Sequence, residues 1–337
     1  MGVKNLNKFL RETCKNDSIR RVNLSELSGK KIAIDVSIYL YKYQSQSLIE
    51  NIYSMLSIFY YYKIIPIFIF DGKPPTEKTA VLKKRKQNKL QAEAEYNLLK
   101  IKLQENKNIL VQDKQEIEET MQMLKKQFVY IKKNQITKVK ELISSYGAMY
   151  FEAEGEADSL CAQLVIENKV WACLSEDMDM FVYGANRVLR YLSLINHTVV
   201  LYDMEKLLNE LDITQQELRE ICVLSGNDYS NVEDVCENKL RKVLKFFKKY
   251  CLVEQTQKDT PCEKYGFYKW LMKTKNNLIQ DWESLVKITK IFELEHEHDQ
   301  GIENNLTTVS NYMENFNGKM DKPLMQYILS EDGFIFP

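Results

Sequence analysis

Short apolar segments alternate with longer segments of helical periodicity through the first half of the chain, and this alternation restricts the possible folds most strongly. Short apolar runs have the length of buried strands, whereas apolar residues at helical spacing indicate amphipathic helices. Strands separated by helices predict an α/β fold with a mainly parallel central sheet and helices on both faces. The four predicted strands are Lys31–Asp35, Ile64–Phe70, Ala148–Phe151 and Val170–Leu174.

Two further segments are rich in β-branched and aromatic residues. Val188–Leu194 and Thr198–Tyr202 predict a pair of strands joined as a hairpin. From Met204 onward the periodicity is almost entirely helical. The chain therefore combines an α/β part with a helical carboxyl-terminal part.

The charges of the chain are distributed unevenly, although 47 basic residues balance 47 acidic ones. Residues 73–140 contain 17 Lys and Arg but 8 Asp and Glu, which leaves 30 basic and 39 acidic residues elsewhere. Within this segment, Lys78–Lys89 carries six basic residues and no acid. The zero net charge is a cancellation, so it does not argue against a nucleic-acid partner. Because residues 73–140 also lack a strand-like run, we expect a basic helical insertion there.

The sequence argues against a membrane protein and against a disulfide framework. Its longest apolar runs, such as Ile64–Phe70, are far too short to span a bilayer, and the amino-terminal segment has no apolar signal-peptide core. The seven cysteines include no Cys-x-x-Cys pair, which favours reduced thiols. We therefore expect an intracellular protein without a membrane segment.

Acidic residues follow the predicted strands. Asp35 ends the first strand, Asp71 follows the second, Glu156 and Asp158 follow the third, and Asp177 and Asp179 follow the fourth. Carboxyl ends of parallel strands converge on one crevice, so these carboxylates would repel one another unless cations lay among them. Because Mg²⁺ prefers oxygen ligands of this kind, the pattern predicts a site for one or two divalent metal ions.

Each acid by itself also has an ordinary explanation. Asp71 can be a turn former before Gly72, and Glu152 and Glu176 can lie on a solvated surface. The joint pattern favours a metal site, with one geometric condition. Residues two apart in a helix point about 200° apart. Glu156 and Asp158 can therefore face one site only if Glu156 lies at or before the start of its helix.

The acids and the basic insertion together favour phosphodiester chemistry. Two metal ions held by carboxylates suit hydrolysis of a phosphodiester, since they activate water and stabilise charge on the phosphate oxygens. Lys and Arg in the insertion would hold the phosphates of the polymer. The pattern indicates a metal-dependent nuclease.

Six motifs occur in the order that they have in one known family. They are Met1-Gly-Val-Lys-Asn-Leu, Lys31-Ile-Ala-Ile-Asp-Val-Ser37, Phe70-Asp-Gly-Lys-Pro-Pro75, Glu154-Gly-Glu-Ala-Asp158, Ser175-Glu-Asp-Met-Asp179 and Ser225-Gly-Asn-Asp-Tyr229. Over about residues 1–90 and 140–230 the chain resembles the flap endonuclease / XPG family of structure-specific 5′ nucleases. The resemblance implies a PIN-like 5′ nuclease fold. Residues 1–230 would be the catalytic core, 73–140 a helical gateway, and 231–337 a helical DNA-binding and carboxyl-terminal region.

The resemblance also assigns roles to individual residues. Lys78 and Arg85 match the basic residues that reach the scissile phosphate, and Gly2 matches a glycine near the active site. Tyr41 matches an aromatic residue on which a terminal base stacks, with core packing as the alternative. Further basic candidates for phosphate contact are Lys83, Lys84, Lys239, Arg241 and Lys242. The implied carboxylates for two Mg²⁺ ions, with Mn²⁺ as a substitute, are Asp35, Asp71, Glu156, Asp158, Asp177, Asp179 and Asp228.

Four departures from the family pattern bear on substrate and partners. Asp158 stands where flap endonucleases proper have glutamate, and aspartate there is more similar to the exonuclease branch. The stretch from Asp35 to Asp71 is shorter, in the part that helps to split the duplex and hold a 3′ flap. Val232–Cys236 replaces the Gly-Ile-Gly core of a potassium-binding helix–two-turns–helix. No recognisable sliding-clamp motif closes the chain.

We expect a monomer that hydrolyses DNA at 5′ flaps or 5′ single-strand/duplex junctions by a two-metal mechanism, in DNA replication or repair. It would act in the nucleus or in a viral or cytoplasmic replication compartment. One alternative keeps the site and changes the substrate, giving a 5′→3′ exonuclease of duplex DNA or a nuclease of RNA. The other alternative is a catalytically silent nucleic-acid-binding scaffold.

Overall fold

The structure is a computed structural model, which describes residues 2–15, 17–44, 47–105, 111–227, 229, 239–254, 265–274, 279, 281–294 and 300–335. Its strands are β1 (Ile19–Asn23), β2 (Lys31–Asp35), β3 (Ile65–Phe70), β4 (Met149–Glu152), β5 (Ala172–Leu174), β6 (Arg187–Ser193) and β7 (Thr198–Asp203). Within the described ranges these seven strands form one sheet in the order β1-β7-β6-β5-β2-β3-β4.

The sheet is mainly parallel. β2 lies between β3 and β5, where Ile34 is opposite both Phe68 and Leu174. β4 and β6 extend this parallel arrangement, so the carboxyl ends of β2 to β6 lie at one edge. β7 is antiparallel to β6, as the predicted hairpin requires. The predicted α/β architecture is confirmed.

The structure differs from the sequence expectation at one edge of the sheet. Strand β1, which pairs antiparallel with β7, was not predicted. Its Arg20 and Arg21 are both exposed, so the segment lacks a clear alternation of apolar and polar residues. Charged residues are common on edge strands because they discourage pairing with other chains.

The described helices lie on the two faces of the sheet, in the insertion after β3 and in the carboxyl-terminal part. They are α1 (Leu6–Thr13), α2 (Val36–Gln44), α3 (Leu48–Tyr61), α4 (Thr79–Glu105), α5 (Val111–Lys125), α6 (Lys133–Ser145), α7 (Ala157–Ile166), α8 (Asp179–Tyr183), α9 (Met204–Leu211), α10 (Gln215–Ser225), α11 (Lys239–Glu254), α12 (Gly266–Lys273), α13 (Trp282–Glu293), α14 (Gln300–Asn315) and α15 (Lys322–Glu331). Short 3-10 helices occur at Leu24–Leu27 and Thr76–Lys78.

The sheet separates two apolar clusters, because successive residues of a strand face opposite sides. Ile67 of β3 belongs to the first cluster, which also contains residues of α1, α7, α8 and α10. The next residue, Phe68, belongs to the second cluster, together with residues of α2, α3 and α6. Both faces of the central strands are therefore buried, which accounts for their nearly continuous apolar sequence.

The helical insertion consists of two long helices that pack against each other, α4 and α5. Ring contact between Tyr96 and Phe128, with centroids 5.3 Å apart, adds to this packing. The third helix of the segment behaves differently. Val139, Leu142 and Ile143 of α6 are buried in the second cluster under the sheet. The insertion thus leaves the body of the molecule as α4 and returns to it as α6.

The carboxyl-terminal helices α11 to α14 share the first cluster with the α/β part, whereas α15 is buried in the second cluster. Phe267 of α12, Phe292 of α13 and Val309 of α14 are buried in the same cluster as Cys161 of α7. None of the described helices has the length and apolar character needed to cross a bilayer. No disulfide bond joins the described cysteines, which are Cys14, Cys161, Cys173, Cys222 and Cys251.

Candidate metal centre and its basic surroundings

The strand-end acids converge at the carboxyl edge of the sheet. Asp35 is the last residue of β2, and Asp71 directly follows β3. Glu156 directly precedes α7 with extended backbone angles (φ −87°, ψ 145°), while Asp158 lies in the first turn of that helix. The geometric condition from the sequence is therefore met, because Glu156 lies outside the helix.

Three aspartates lie close enough to share a cation. One carboxylate oxygen from each of Asp158, Asp177 and Asp179 lies within 4.8 Å of the others. All three side chains are buried. Asp158 lies in α7, which follows β4. Asp177 comes from the loop after β5, and Asp179 is the first residue of α8. The ends of two strands, β4 and β5, therefore supply the cluster.

Hydrogen bonds fix the remaining strand-end acids beside this cluster. Asp35 Oδ2 accepts a hydrogen bond of 2.9 Å from Ser175 Oγ, which itself accepts one of 3.1 Å from the backbone N–H of Asp177. Asp71 accepts hydrogen bonds from Ser37 Oγ and, at 2.8 Å, from the backbone N–H of Ala157. These bonds link the ends of β2, β3 and β5 to the start of α7.

Burial and mutual repulsion disfavour the ionised forms of these acids. Burial raises the pKa of Asp35 to about 7. The negative charges of Asp71 and Asp177 also raise it, whereas the hydrogen bond from Ser175 lowers it. Burial also raises the pKa of Asp158; Glu156, Asp177 and Asp179 add to this, while Lys78 opposes it. Hard oxygen donors with such unfavourable repulsion suit a divalent cation, so the residues present fit a metal ion.

Two glycines allow the backbone to approach this site closely. A Cβ atom on Gly2 would lie 2.6 Å from Asp177 Oδ1 and even closer to Asp179, and Gly2 has a φ of +73°. Gly72 follows Asp71 and lies against the 153–155 loop, where its N–H donates a 2.7 Å hydrogen bond to the carbonyl of Gly155. A Cβ on Gly72 would collide with the carbonyl of Ala153. A larger residue at position 2 would therefore press on the carboxylates of Asp177 and Asp179, and one at position 72 would collide with the backbone after β4.

Lys78 is a buried basic residue in contact with one of the acids. It is 5% exposed, and its Nζ lies 2.7 Å from Glu156 Oε2. Burial lowers the pKa of Lys78, but the nearby charges of Asp158, Tyr229 and Glu156 outweigh it, so the net shift is upward. Lys78 is therefore a charged ammonium group directly before α4, beside Glu156 and Asp158.

Three other predicted basic residues lie on α4, which follows the short helix that ends at Lys78. Lys83, Lys84 and Arg85 are exposed on α4. Tyr41 of α2 is 48% exposed, and Lys89 Nζ of α4 lies 4.8 Å from its ring centroid. Tyr41 is therefore not part of the buried core, and its role as a stacking surface stays a prediction.

A second basic surface lies on α11. Arg241 and Lys242 are exposed and Lys239 is half-buried, whereas the opposite face of α11 is buried through Leu240 and Val243. The predicted ligand Asp228 and the segment Val232–Cys236 lie outside the described residues.

Two residues of the site were missed or misjudged from the sequence. Tyr229, the last residue of one of the six motifs, donates a 2.9 Å hydrogen bond to Glu156 Oε2 that no sequence pattern indicated. Glu176, for which a solvated surface was an explanation, accepts a 2.6 Å hydrogen bond from the backbone N–H of Tyr191 and lies 3.5 Å from Arg190 Nε. The position of Glu176 between Ser175 and Asp177 in the Ser175–Asp179 motif was the one sequence signal for a structural role of Glu176. Glu152, by contrast, is exposed.

Comparison with known proteins gives consistent results. The XPG N-terminal domain matches residues 1–92 and the XPG I-region matches residues 147–228, together slightly more than half of the chain. Flap endonuclease 1 of Meyerozyma guilliermondii is 32% identical over 249 residues, which cover 68% of this chain and 63% of the relative. Flap endonuclease 1 of Mus musculus is 28% identical over 248 residues, which cover 68% of this chain and 61% of the relative. The chain thus spans less than two thirds of the length of these relatives.

A solved structure confirms the fold over nearly the whole chain. The catalytic core of Rad2 in complex with a DNA substrate superposes with a TM-score of 0.64 at 21% identity, covering 99% of this chain and 96% of that one. The predicted PIN-like fold with its helical insertion is thereby confirmed. With both family regions matched and the strand-end acids assembled in one site, the chain belongs to the XPG family.

Proposed function

We propose that the chain is a divalent-metal-dependent nuclease that hydrolyses DNA phosphodiesters at 5′ flaps or 5′ single-strand/duplex junctions, in DNA replication or repair. One observation carries the proposal. Carboxylate oxygens of Asp158, Asp177 and Asp179 lie within 4.8 Å of one another, and buried Lys78 interacts electrostatically with Asp158 where the basic helix α4 begins. An acid cluster beside a phosphate-binding surface is the arrangement that metal-assisted phosphodiester hydrolysis needs.

The proposed metal ligands are the carboxylates at the sheet edge. Asp158, Asp177 and Asp179 form the centre of the set, and Asp35, Asp71, Glu156 and Asp228 complete it. When bound, two Mg²⁺ ions, or Mn²⁺ in their place, supply activation of the attacking water and stabilisation of charge on the phosphate. The ordered hydrogen bonds from Ser175 and Ala157 hold the acids in place before metal binds.

Residues of the gateway act on the phosphate. The Lys78 ammonium, buried and charged, and the exposed Arg85 guanidinium, seven positions further along the chain, neutralise charge that develops on the scissile phosphate. Tyr41 offers an exposed ring on which a terminal base stacks. Lys83 and Lys84 hold neighbouring phosphates.

A cleavage assay tests the proposal. End-labelled 5′-flap, nicked, blunt and RNA-containing substrates are incubated with protein in Mg²⁺, Mn²⁺ or EDTA. We expect junction cleavage in Mg²⁺ or Mn²⁺, none in EDTA, and a loss of at least about 10²-fold in turnover for Asp177→Asn. Asp212→Asn, a change at an exposed helix end, is the matched control and retains wild-type turnover. Binding of the flap without cleavage in Mg²⁺ would contradict the nuclease and support the scaffold.

A 5′→3′ exonuclease is the second candidate, and two features favour it. Asp158 replaces the glutamate of flap endonucleases proper. The connection between α2 and α3 is also short, since α2 ends at Gln44 and α3 begins at Leu48. Mononucleotide products in the same assay would identify the exonuclease, whereas an excised flap oligonucleotide would identify the endonuclease. Cleavage confined to the RNA-containing substrate would identify a nuclease of RNA.

A further inference from the structure

Tyr229 contacts two residues of the proposed active site at once. Its hydroxyl donates a 2.9 Å hydrogen bond to Glu156 Oε2, and the centroid of its ring lies 4.4 Å from Lys78 Nζ. The same Glu156 oxygen lies 2.7 Å from Lys78 Nζ. Lys78 is thus enclosed between a carboxylate and the face of an aromatic ring, where its charge is attracted to both.

A second tyrosine orients the hydroxyl of Tyr229. The hydroxyl oxygens of Tyr183 and Tyr229 are 3.4 Å apart. Since the single proton of Tyr229 is donated to Glu156, Tyr183 is the donor of the bond between the two tyrosines. The result is a directed chain of hydrogen bonds from Tyr183 through Tyr229 to Glu156.

Helix α13 of the carboxyl-terminal part packs against the ring of Tyr229. Phe292 of α13 packs edge-on against Tyr229, with ring centroids 5.4 Å apart and an interplanar angle of 90°. Phe292 also packs against Tyr183 at 5.0 Å, and the backbone N–H of Tyr229 donates a 2.8 Å hydrogen bond to Asn227 Oδ1. Tyr229 is therefore held at its backbone, its ring and its hydroxyl.

The ammonium group of a lysine needs such contacts if it is to stay in one position. The group sits on a flexible stem of four methylenes, and an unsupported side chain samples many rotamers. We propose that Tyr229 is a positioning residue, whose ring and hydroxyl hold the Lys78 ammonium and the Glu156 carboxylate in one arrangement. The inference rests on the proposed function, in which Lys78 neutralises charge on the scissile phosphate.

The first test needs neither metal nor DNA. An aromatic ring shifts nuclei above its face upfield, so the ε-methylene signal of Lys78 in protein labelled with [13C]lysine is expected upfield of ordinary lysines. Loss of the signal in Lys78→Arg assigns it, which is necessary because Lys89 and Lys140 also lie over rings. The upfield position should persist in Tyr229→Phe and disappear in Tyr229→Leu. An ordinary position in the wild type, or no response to Tyr229→Leu, would overturn the proposal.

The second test is a double-mutant cycle in turnover on the 5′-flap substrate. Tyr229→Leu is expected to lower kcat about tenfold with KM within about twofold, and Tyr229→Phe to lower it about threefold. In a Lys78→Ala background, the difference in kcat between Tyr229→Leu and Tyr229→Phe, about threefold when Lys78 is present, should vanish, because the ring acts through Lys78. A difference that persists without Lys78 would contradict the positioning role of the ring.

Two controls separate a specific effect of Tyr229 from misfolding and from the loss of an aromatic side chain in general. Tyr53→Leu removes another tyrosine with aromatic neighbours, Tyr146 and Phe334, and should leave kcat unchanged. Thermal unfolding of each variant identifies any that are not folded, and Tyr229→Phe retains the packing on Phe292. A wild-type protein that cleaves nothing contradicts the proposed function alone, since the lysine spectrum still decides whether Tyr229 holds Lys78.

Discussion

Glu220 is a buried acid outside the candidate metal centre. It lies on α10, is 2% exposed, and its Oε1 accepts a 3.2 Å hydrogen bond from Gln216. Burial raises the pKa of Glu220 to about 7; Glu217 adds to this, and hydrogen bonds from Gln216 and from the backbones of Tyr268 and Tyr265 oppose it. Below the ordinary pKa of glutamate the folded and unfolded states are both protonated. As the pH rises towards 7, only the unfolded state loses its proton, so the folded state loses stability.

Replacing Glu220 with glutamine should remove this pH dependence. From pH 4.5 to 8 we expect the wild type to lose up to about 3 kcal/mol of unfolding free energy relative to Glu220→Gln. Urea unfolding of both proteins at several pH values measures the difference. Glu314→Gln, a change of an exposed glutamate on α14, should show no such trend. A constant difference between the wild type and Glu220→Gln would show that Glu220 titrates normally.

At the scale of elements, α11 has two faces of opposite character. Leu240, Val243 and Phe247 recur at helical spacing and are buried against the body of the protein. The other face carries basic residues, and no acid occurs from Lys239 to Val253. The apolar face fixes the helix, so the basic face is presented to solvent in a defined orientation. Such a surface suits contact with the phosphates of a nucleic acid.

Neutralising part of this face should weaken DNA binding in a salt-dependent way. For the triple variant Arg241→Gln, Lys242→Gln, Lys245→Gln, we expect the slope of log K against log salt to fall in magnitude by about 2 to 3. Titration of a fluorescent 5′-flap duplex at several salt concentrations, with EDTA to prevent cleavage, measures the slope. The matched control neutralises the exposed lysines Lys169, Lys206 and Lys319, which lie outside α4 and α11. Equal losses in both triple variants would show that α11 has no special role.

At the scale of the whole molecule, one apolar cluster joins the α/β part to the carboxyl-terminal helices. Phe292 of α13 is fully buried in that cluster and lies against Tyr183, which is in the same short helix as Asp179. Two regions that share a core are expected to unfold together, because neither can bury its apolar surface alone. The carboxyl-terminal region therefore supports the candidate metal centre as well as the fold.

Removing the Phe292 side chain should destabilise the whole protein. Phe292→Ala leaves a cavity between α13 and the site, and we expect a loss of about 3–5 kcal/mol in unfolding free energy with a single cooperative transition. Circular dichroism and intrinsic fluorescence during urea unfolding measure the loss and test for coincident transitions. Tyr312→Ala, at a half-exposed position on α14, should cost much less. Two separate transitions would show that the carboxyl-terminal helices form an independent unit.

The sequence was sufficient for most of the architecture because the relevant signals are local. Apolar runs and helical periodicity predicted the parallel strands and the basic insertion. The spacing of Glu156 and Asp158 set a condition, that Glu156 lie at or before the start of its helix, and α7 meets it. β1 was not predicted because its two exposed arginines interrupt the alternation of apolar and polar residues that indicates a strand. Its pairing with β7 depends on residues far away in the chain, which no local pattern encodes.

What the sequence determined by itself is the set of acids at the strand ends, since a strand fixes the direction in which its last residues point. Only the tertiary structure decided which of them meet: Asp158, Asp177 and Asp179 come together because α7 and the start of α8 pack at one edge of the sheet. It also decided that Lys78 is buried between Glu156 and Tyr229. The environment of a side chain is set by packing between distant segments, so Tyr229, one tyrosine among 20, acquired its significance only in the folded chain.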